Sequence, residues 1–227
     1  MLKRMKFPAH AYLPLLCVIL LNSLTYFGTK IFLPNAAFHN LGTRLDELLP
    51  FVPFFSLFYV LAYLQWGLNY WLHAYGDRDD YYQLCTADIL AKLLCLVLFL
   101  ALPVTIERPT PSGNGFFNGL TALIYRLDSP TNLFPSIHCV ESWIAFRAAR
   151  VFQKAPRGYA TAHLILAILV FASTVLIRQH FLADVVAGVI VVEIGWLLSS
   201  RLGIWRIFHR LQPSWGKRAE NHDRSTP

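Results

Sequence analysis

Six stretches of roughly twenty mostly apolar residues, near 11–33, 48–72, 86–105, 136–155, 159–178 and 180–203, constrain this chain more than any other feature. A hydrocarbon layer of about 30 Å is crossed by roughly 20 residues of helix, and a helix satisfies its own backbone where no water reaches. Hydrophobic residues make up 56% of the 227 residues and charged ones only 15%, too apolar a balance for a soluble domain of this length. The expectation is an all-α integral membrane protein. It is a six-transmembrane helical bundle with a long extracytoplasmic loop between helices 3 and 4, one domain over 1–227, ending in a basic cytoplasmic tail at 204–227. The first stretch follows Lys3, Arg4 and Lys6 but outruns a secretory signal core. It reads as a retained anchor, with Ala36-Ala37 as a conceivable cleavage point.

The Lys/Arg distribution sets the orientation, because basic residues collect in cytoplasmic loops. One side holds Lys3, Arg4, Lys6, Arg78, Arg147, Arg150, Lys154, Arg157 and the basic residues from Arg201 onward, and the other only Lys30, Arg44, Arg108, Arg126 and Arg178. Both termini are therefore expected in the cytoplasm, of a plasma membrane if the source is bacterial. This asymmetry accounts for the net charge of +7 and gives the tail an affinity for anionic headgroups, with no call for nucleic acid. The four cysteines, Cys17, Cys85, Cys95 and Cys139, form no CxxC pair and read as small buried apolar residues.

Two of the apolar stretches open on a histidine. Phe134-Pro135-Ser136-Ile137-His138 leads into the fourth, and Arg178-Gln179-His180-Phe181-Leu182-Ala183-Asp184 into the sixth. A helix start after Pro135 offers free N–H groups and the Ser136 hydroxyl to an anion. His180 and Asp184, at i and i+4, share a helix face if the helix covers both, and the carboxylate can then fix the imidazole tautomer. The 106–134 loop carries Arg108, able to grip a phosphate bidentately or to snorkel to headgroups, and Phe116 to Leu127 as a short interfacial helix. Arg126 and Asn132 belong to the same loop. His39, His73 and His163 read as interfacial or hydrogen-bonding residues. Glu141 and Glu193 lie within spans, where an ionised side chain costs at least ~2.5 kcal/mol, so each is expected to have a partner or face a cavity. Glu141, one turn after His138, either orients it or pairs with a neighbouring span.

An Arg-Pro after one span, a Pro-Ser-x-His opening the next and a His-x-x-x-Asp opening a later one resemble the three signature motifs of the type 2 phosphatidic acid phosphatase family. The resemblance covers about 101–190. It implies a six-helix membrane core and metal-independent chemistry through a phosphohistidine, with no cofactor. Residue by residue it makes His180 the nucleophile, Asp184 its orienting partner and His138 the acid that protonates the leaving oxygen. Arg108, Ser136 and the first N–H groups of the fourth span would hold the phosphate oxygens, helped by Asn132. Two positions that usually carry cations hold Ala101 and Thr174, and Ile137 replaces the usual Gly. Arg178 could replace a missing cation only if the last helix starts near His180. The Phe-Pro-Ser-Ile-His and Gln-His-Phe-x-x-Asp forms look more like the branch with inositol phosphorylceramide synthases and bacterial relatives.

The resemblance implies a lipid phosphate substrate entering from the bilayer, and either hydrolysis or transfer to another acceptor. Two other classes compete: a transporter or flippase with charged residues as a translocation relay, and a metal hydrolase on His138, His180 and Asp184. The sequence leaves open the lipid and the oligomeric state.

Overall fold

A computed structural model describes residues 6–32 and 37–211. Lys3, Arg4, Ala36 of the conceivable cleavage point and the tail after Leu211 lie outside the described residues. The helices are α1 (Tyr12–Ser23), α2 (Thr29–Phe32), α3 (Arg44–Leu48), α4 (Ser56–Ala74), α5 (Arg78–Ala101), α6 (Phe116–Leu127), α7 (Ile137–Val151), α8 (Tyr159–Leu176), α9 (Leu182–Leu202) and α10 (Ile207–Leu211). Among the described residues there is no strand, only isolated bridges joining His39 to Val104 and Thr105 to Thr131. Four helical segments are long and apolar enough to cross a membrane: Ala9–Gly28, Arg78–Ala101, Tyr159–Leu176 and Leu182–Leu202.

Helix ends follow local chemistry more closely than apolar content does. The third stretch was expected from residue 86, yet α5 begins eight residues earlier. Asp77 caps it by accepting from Asp79 N and Asp80 N, and the two acidic residues of the first turn suit the helix dipole. The second was expected from residue 48, but α4 starts at Ser56 because Pro53 opens only a short 3₁₀ turn before it.

The 37–55, 102–136 and 177–181 segments gather at one end of the bundle, where His39 N donates to Pro103 O, Val52 N to Leu176 O and Arg178 to Asp46 O. The core joins α5, α7 and α9. Here Gly195 allows close approach, since a Cβ would meet Ala87 O at 2.6 Å, and Gly188 brings α9 to 3.2 Å from Ser136 O by the same measure. Inside this core Lys92 reaches Asp88 Oδ1 at 2.9 Å and also bonds Glu141, while Tyr70 donates to Asp88 Oδ2 at 2.9 Å. Glu141 thus pairs with a neighbouring helix. Glu193 accepts from Trp143 Nε1 at 2.8 Å. No cysteine is disulfide-bonded, and all but the half-buried Cys17 are buried. At the loop end α6 forms over the expected residues, packing on the 53–55 turn and α4 through Thr121 and Ile124 while Phe116 and Leu127 stay exposed.

Candidate active site

The loop end encloses a cavity of about 300 Å³ whose walls include Tyr26, Tyr63, Trp66, Asp128, Asn132, His138, Gln179 and His180. The two histidines expected to do chemistry therefore meet in one space.

The route by which His180 arrives differs from a simple i, i+4 helix face. α9 begins at Leu182, so His180 precedes it. The chain leaves α8 through a Schellman turn: Gln179 N donates to Thr174 O at 2.9 Å and Arg178 N to Val175 O at 3.1 Å, with Arg178 at φ +53°. His180 N also donates to Thr174 O, at 3.0 Å. Asp184, in the first turn of α9, accepts from Phe181 N at 2.9 Å and from His180 Nδ1 at 3.1 Å. Nδ1 also lies 3.1 Å from Leu133 O. Two acceptors at Nδ1 assign the ring proton there and leave the Nε2 lone pair free.

His138 enters from the first turn of α7. Its ring stacks on Tyr59 with centroids 3.7 Å apart and is flanked edge-on by Tyr63 and Trp66. Its Nε2 is buried and has no partner among the described residues. Ser136 caps α7, accepting from Cys139 N at 3.4 Å. It is fully buried and is not part of the cavity wall.

Arg108 sits behind the cavity. Its Nη1 donates to Asp128 O at 2.6 Å and its guanidinium lies 4.9 Å from the Tyr125 ring centre, while Nε and Nη2 are buried without partners among the described residues. Burial pulls its pKa down against the opposing field of Asp128, and the guanidinium keeps its charge at neutral pH. Asn132 reaches the wall at φ +58°, and its amide donates to Thr29 Oγ1 at 2.6 Å. Arg178 points elsewhere: its two Nη atoms donate to Asp46 O and Leu49 O, each at 2.5 Å, tying the α8–α9 turn to the 40–49 segment. No phosphate contact from Arg178 follows from this arrangement. The removed obstacle is helical, since α9 does start after His180, but the guanidinium is already engaged. Ala101 and Thr174 bring no cation, and Thr174 Oγ1 donates to Phe171 O at 2.8 Å.

Asp128 is the wall residue that sequence reading missed. Tyr26 Oη donates to its Oδ1 and Tyr59 Oη to its Oδ2, both at 2.6 Å. Burial pushes this carboxyl upward, but the two hydrogen bonds and the fields of His138 and His180 outweigh it and hold the pKa below the ordinary carboxylate range. A lone Asp before Ser-Pro reads as a turn residue. The usable signal lay on α4, where Tyr59, Tyr63 and Trp66 recur at helical spacing as an aromatic face for His138. Gln179 was also passed over. It is 1% exposed on the wall, with neither amide atom partnered among the described residues.

Among the described residues no three His, Cys, Asp or Glu side chains converge as a metal-ion set. No curated protein and no solved structure matches the chain. The PAP2 superfamily profile matches residues 80–209, which hold both histidines, Asp184, Arg108 and more than half of the sequence. The chain belongs to the PAP2 superfamily.

Proposed function

We propose that this protein is a metal-independent phosphatase or phosphotransferase acting on a phospholipid or isoprenoid phosphate through a phosphohistidine on His180. Membership of the superfamily implies a phosphatase or phosphotransferase. The observation that carries the finer reading is the oriented pair: Asp184 fixes the Nδ1 proton of His180, and Nε2 is left as the nucleophile in a cavity shared with the unpartnered Nε2 of His138.

In the first step the His180 Nε2 lone pair attacks phosphorus and the bond to the lipid oxygen breaks. His138, protonated at Nε2, gives its proton to that oxygen. In the second step water, or the hydroxyl of an acceptor, gives a proton back to His138 and attacks phosphorus. The P–N bond breaks and His180 is restored. The free N–H groups of Arg108 and of the first turn of α7 hold charge spread over the phosphoryl oxygens, with Asn132 at the wall. Ser136 fixes the start of α7. Arg178 serves the phosphate from behind, by holding the turn that presents His180.

The proposed setting is a six-span bundle, with α4 and α7 completing the four apolar spans. Both termini are placed in the cytoplasm and the cavity on the extracytoplasmic face, as the Lys/Arg asymmetry favours. External labelling of introduced cysteines should reach the 106–134 loop and spare Arg157.

The deciding experiment incubates purified protein with radiolabelled phosphatidate, phosphatidylglycerophosphate, isoprenyl diphosphate or an inositol phospholipid, with and without ceramide, diacylglycerol or inositol acceptors. Expected are turnover that persists in EDTA, inhibition by vanadate, and an acid-labile phosphoenzyme absent from His180→Ala. Inactivation by EDTA with recovery on adding a divalent metal would overturn the phosphohistidine.

A further inference from the structure

Below the histidine cavity a second cavity of about 410 Å³ runs between α1 and α4, and the two share Asn22, Ser23 and Trp66 in their walls. α1 leans on α5 while α4 packs on α7 and α8, and the groove opens between them. Its lower walls are Leu15, Val18 and Ile19 from α1 and Gly67, Tyr70 and Trp71 from α4. Ile19 is 52% and Trp71 46% exposed, so the groove is open along its side. From Tyr63 in the upper cavity to Trp71 in the lower, eight residues of helix span about 12 Å.

Polarity changes with depth in the order of a lipid phosphate. The histidines and Asp128 come first. At the junction Asn22 and Ser23 line both cavities, and Asn22 Oδ1 is buried without a partner among the described residues. Glu141 is itself only 6% exposed and lines the groove. Apart from Glu141, the walls below the junction are hydrocarbon and aromatic.

Resting on the reading of the upper cavity as the phosphoryl-transfer site, we propose that the α1–α4 groove is its chain subsite. It holds the hydrocarbon chain of the lipid phosphate, which passes from the histidine cavity between Asn22, Ser23 and Trp66 into the groove. The groove, and Gly67 in particular, then selects for chain length. A Cβ on Gly67 meets nothing within 4 Å, so a large side chain there fills the groove without displacing α4.

The test uses full-length protein in nanodiscs with a phosphatidate whose acyl chain carries a diazirine near its end. Crosslinks should concentrate on peptides containing Leu15–Ile19 and Gly67–Trp71, and Gly67→Phe should remove most of them. Gly67→Phe should also lower kcat/KM for long-chain phosphatidate by about tenfold or more, while turnover of dibutyryl phosphatidate and p-nitrophenyl phosphate stays as in wild type. Ile19→Trp, from the opposite wall, should act alike, and it keeps the test decisive if Gly67→Phe folds poorly. Crosslinks unchanged by both substitutions, or equal losses for long and short chains, would overturn the subsite. If His180→Ala keeps full activity, the phosphohistidine reading falls. The crosslinking map still decides the groove.

Discussion

Asp88, Lys92 and Glu141 in the middle of the bundle, and Asp128, His138, His180 and Asp184 at its end, are two buried polar clusters linked by one turn of α7 between His138 and Glu141. In the first, one ammonium lies between two carboxylates and Tyr70 completes the second oxygen of Asp88. Three of the four carboxylate oxygens are bonded there, Glu141 Oε2 alone lacking a partner among the described residues, and side chains from α4, α5 and α7 tie those helices together. In the second, the carboxylates are bonded but His138 Nε2, Asp184 Oδ1, both amide atoms of Gln179 and two nitrogens of Arg108 lack partners among the described residues. Each such group costs about 1–3 kcal/mol when left buried and bare. The lesson is a division of labour inside one helix: a turn of α7 separates polar groups that bond one another across the bundle from polar groups left mostly bare around the cavity, which the proposed function assigns to a phosphate.

The widest separation should come from crossed substitutions. His180→Ala should lower phosphoryl transfer by about four orders of magnitude or more while the melting temperature barely moves. Lys92→Ala should do the reverse, costing about 3–5 kcal/mol because it strands two buried carboxylates. Thermal unfolding in detergent and turnover per folded molecule, measured on both variants, check this. Replacing all three charges together, as Asp88→Asn, Lys92→Met and Glu141→Gln, should recover most of the stability. If Lys92→Ala abolishes turnover in protein that remains folded, the two clusters are one.

Within the site cluster, His138→Ala should cost about 10²–10⁴-fold on lipid substrates and less on p-nitrophenyl phosphate, whose leaving group needs no proton. Equal losses on both substrates would remove His138 from the acid role. Asp128 sharpens the comparison through pH. Its carboxyl is held ionised in the fold, so an unfolded chain takes up the proton first as pH falls. The stabilisation is complete above the ordinary carboxylate value of about 3.9 and is lost as pH drops through the lower folded value. The stability gap between wild type and Asp128→Asn should thus be constant near neutrality and close below about pH 4. A gap that widens in acid would mean that burial wins over the tyrosine hydrogen bonds.

What could be read from the sequence divides along the same line. The apolar stretches and the Pro-Ser-x-His start of α7 are local patterns, and α6 and the buried cysteines follow from composition and spacing. The contact of His180 with Asp184 was legible, although a Schellman turn and an Asp in the first turn of α9 make it, in place of one continuous helix face. Arg178 could not be placed. Its direction depends on a positive φ and on carbonyls 129 and 132 residues away. Asp88 and Lys92, at i and i+4 in an apolar stretch, carried a signal of pairing, but the third member comes from another helix. Asp128 depends on tyrosines 69 and 102 residues distant, which spacing within a loop cannot supply.

The smallest effects on turnover should come from residues that position the histidines without touching the phosphate. Arg178→Gly removes the side chain from a left-handed position that glycine occupies freely, relieving about 1 kcal/mol, but it also deletes two charged hydrogen bonds to carbonyls worth about 1.5–3 kcal/mol each. The two bonds outweigh the relief by about 2–5 kcal/mol, while kcat drops only modestly, through a turn presenting His180 that has lost its tie to the 40–49 segment. Ser136→Ala should cost only about 1 kcal/mol, the usual loss of an N-cap. The cap sits two residues before His138, and Ser136 N also donates to Asp184 O at 3.1 Å through a backbone bond that alanine retains. The start of α7 therefore stays docked on α9, and Ser136→Ala should keep at least about a tenth of wild-type turnover. A far larger fall, with the melting temperature shifted by no more than the cap predicts, would put the Ser136 hydroxyl on the phosphate and move it from the supporting set to the reacting one.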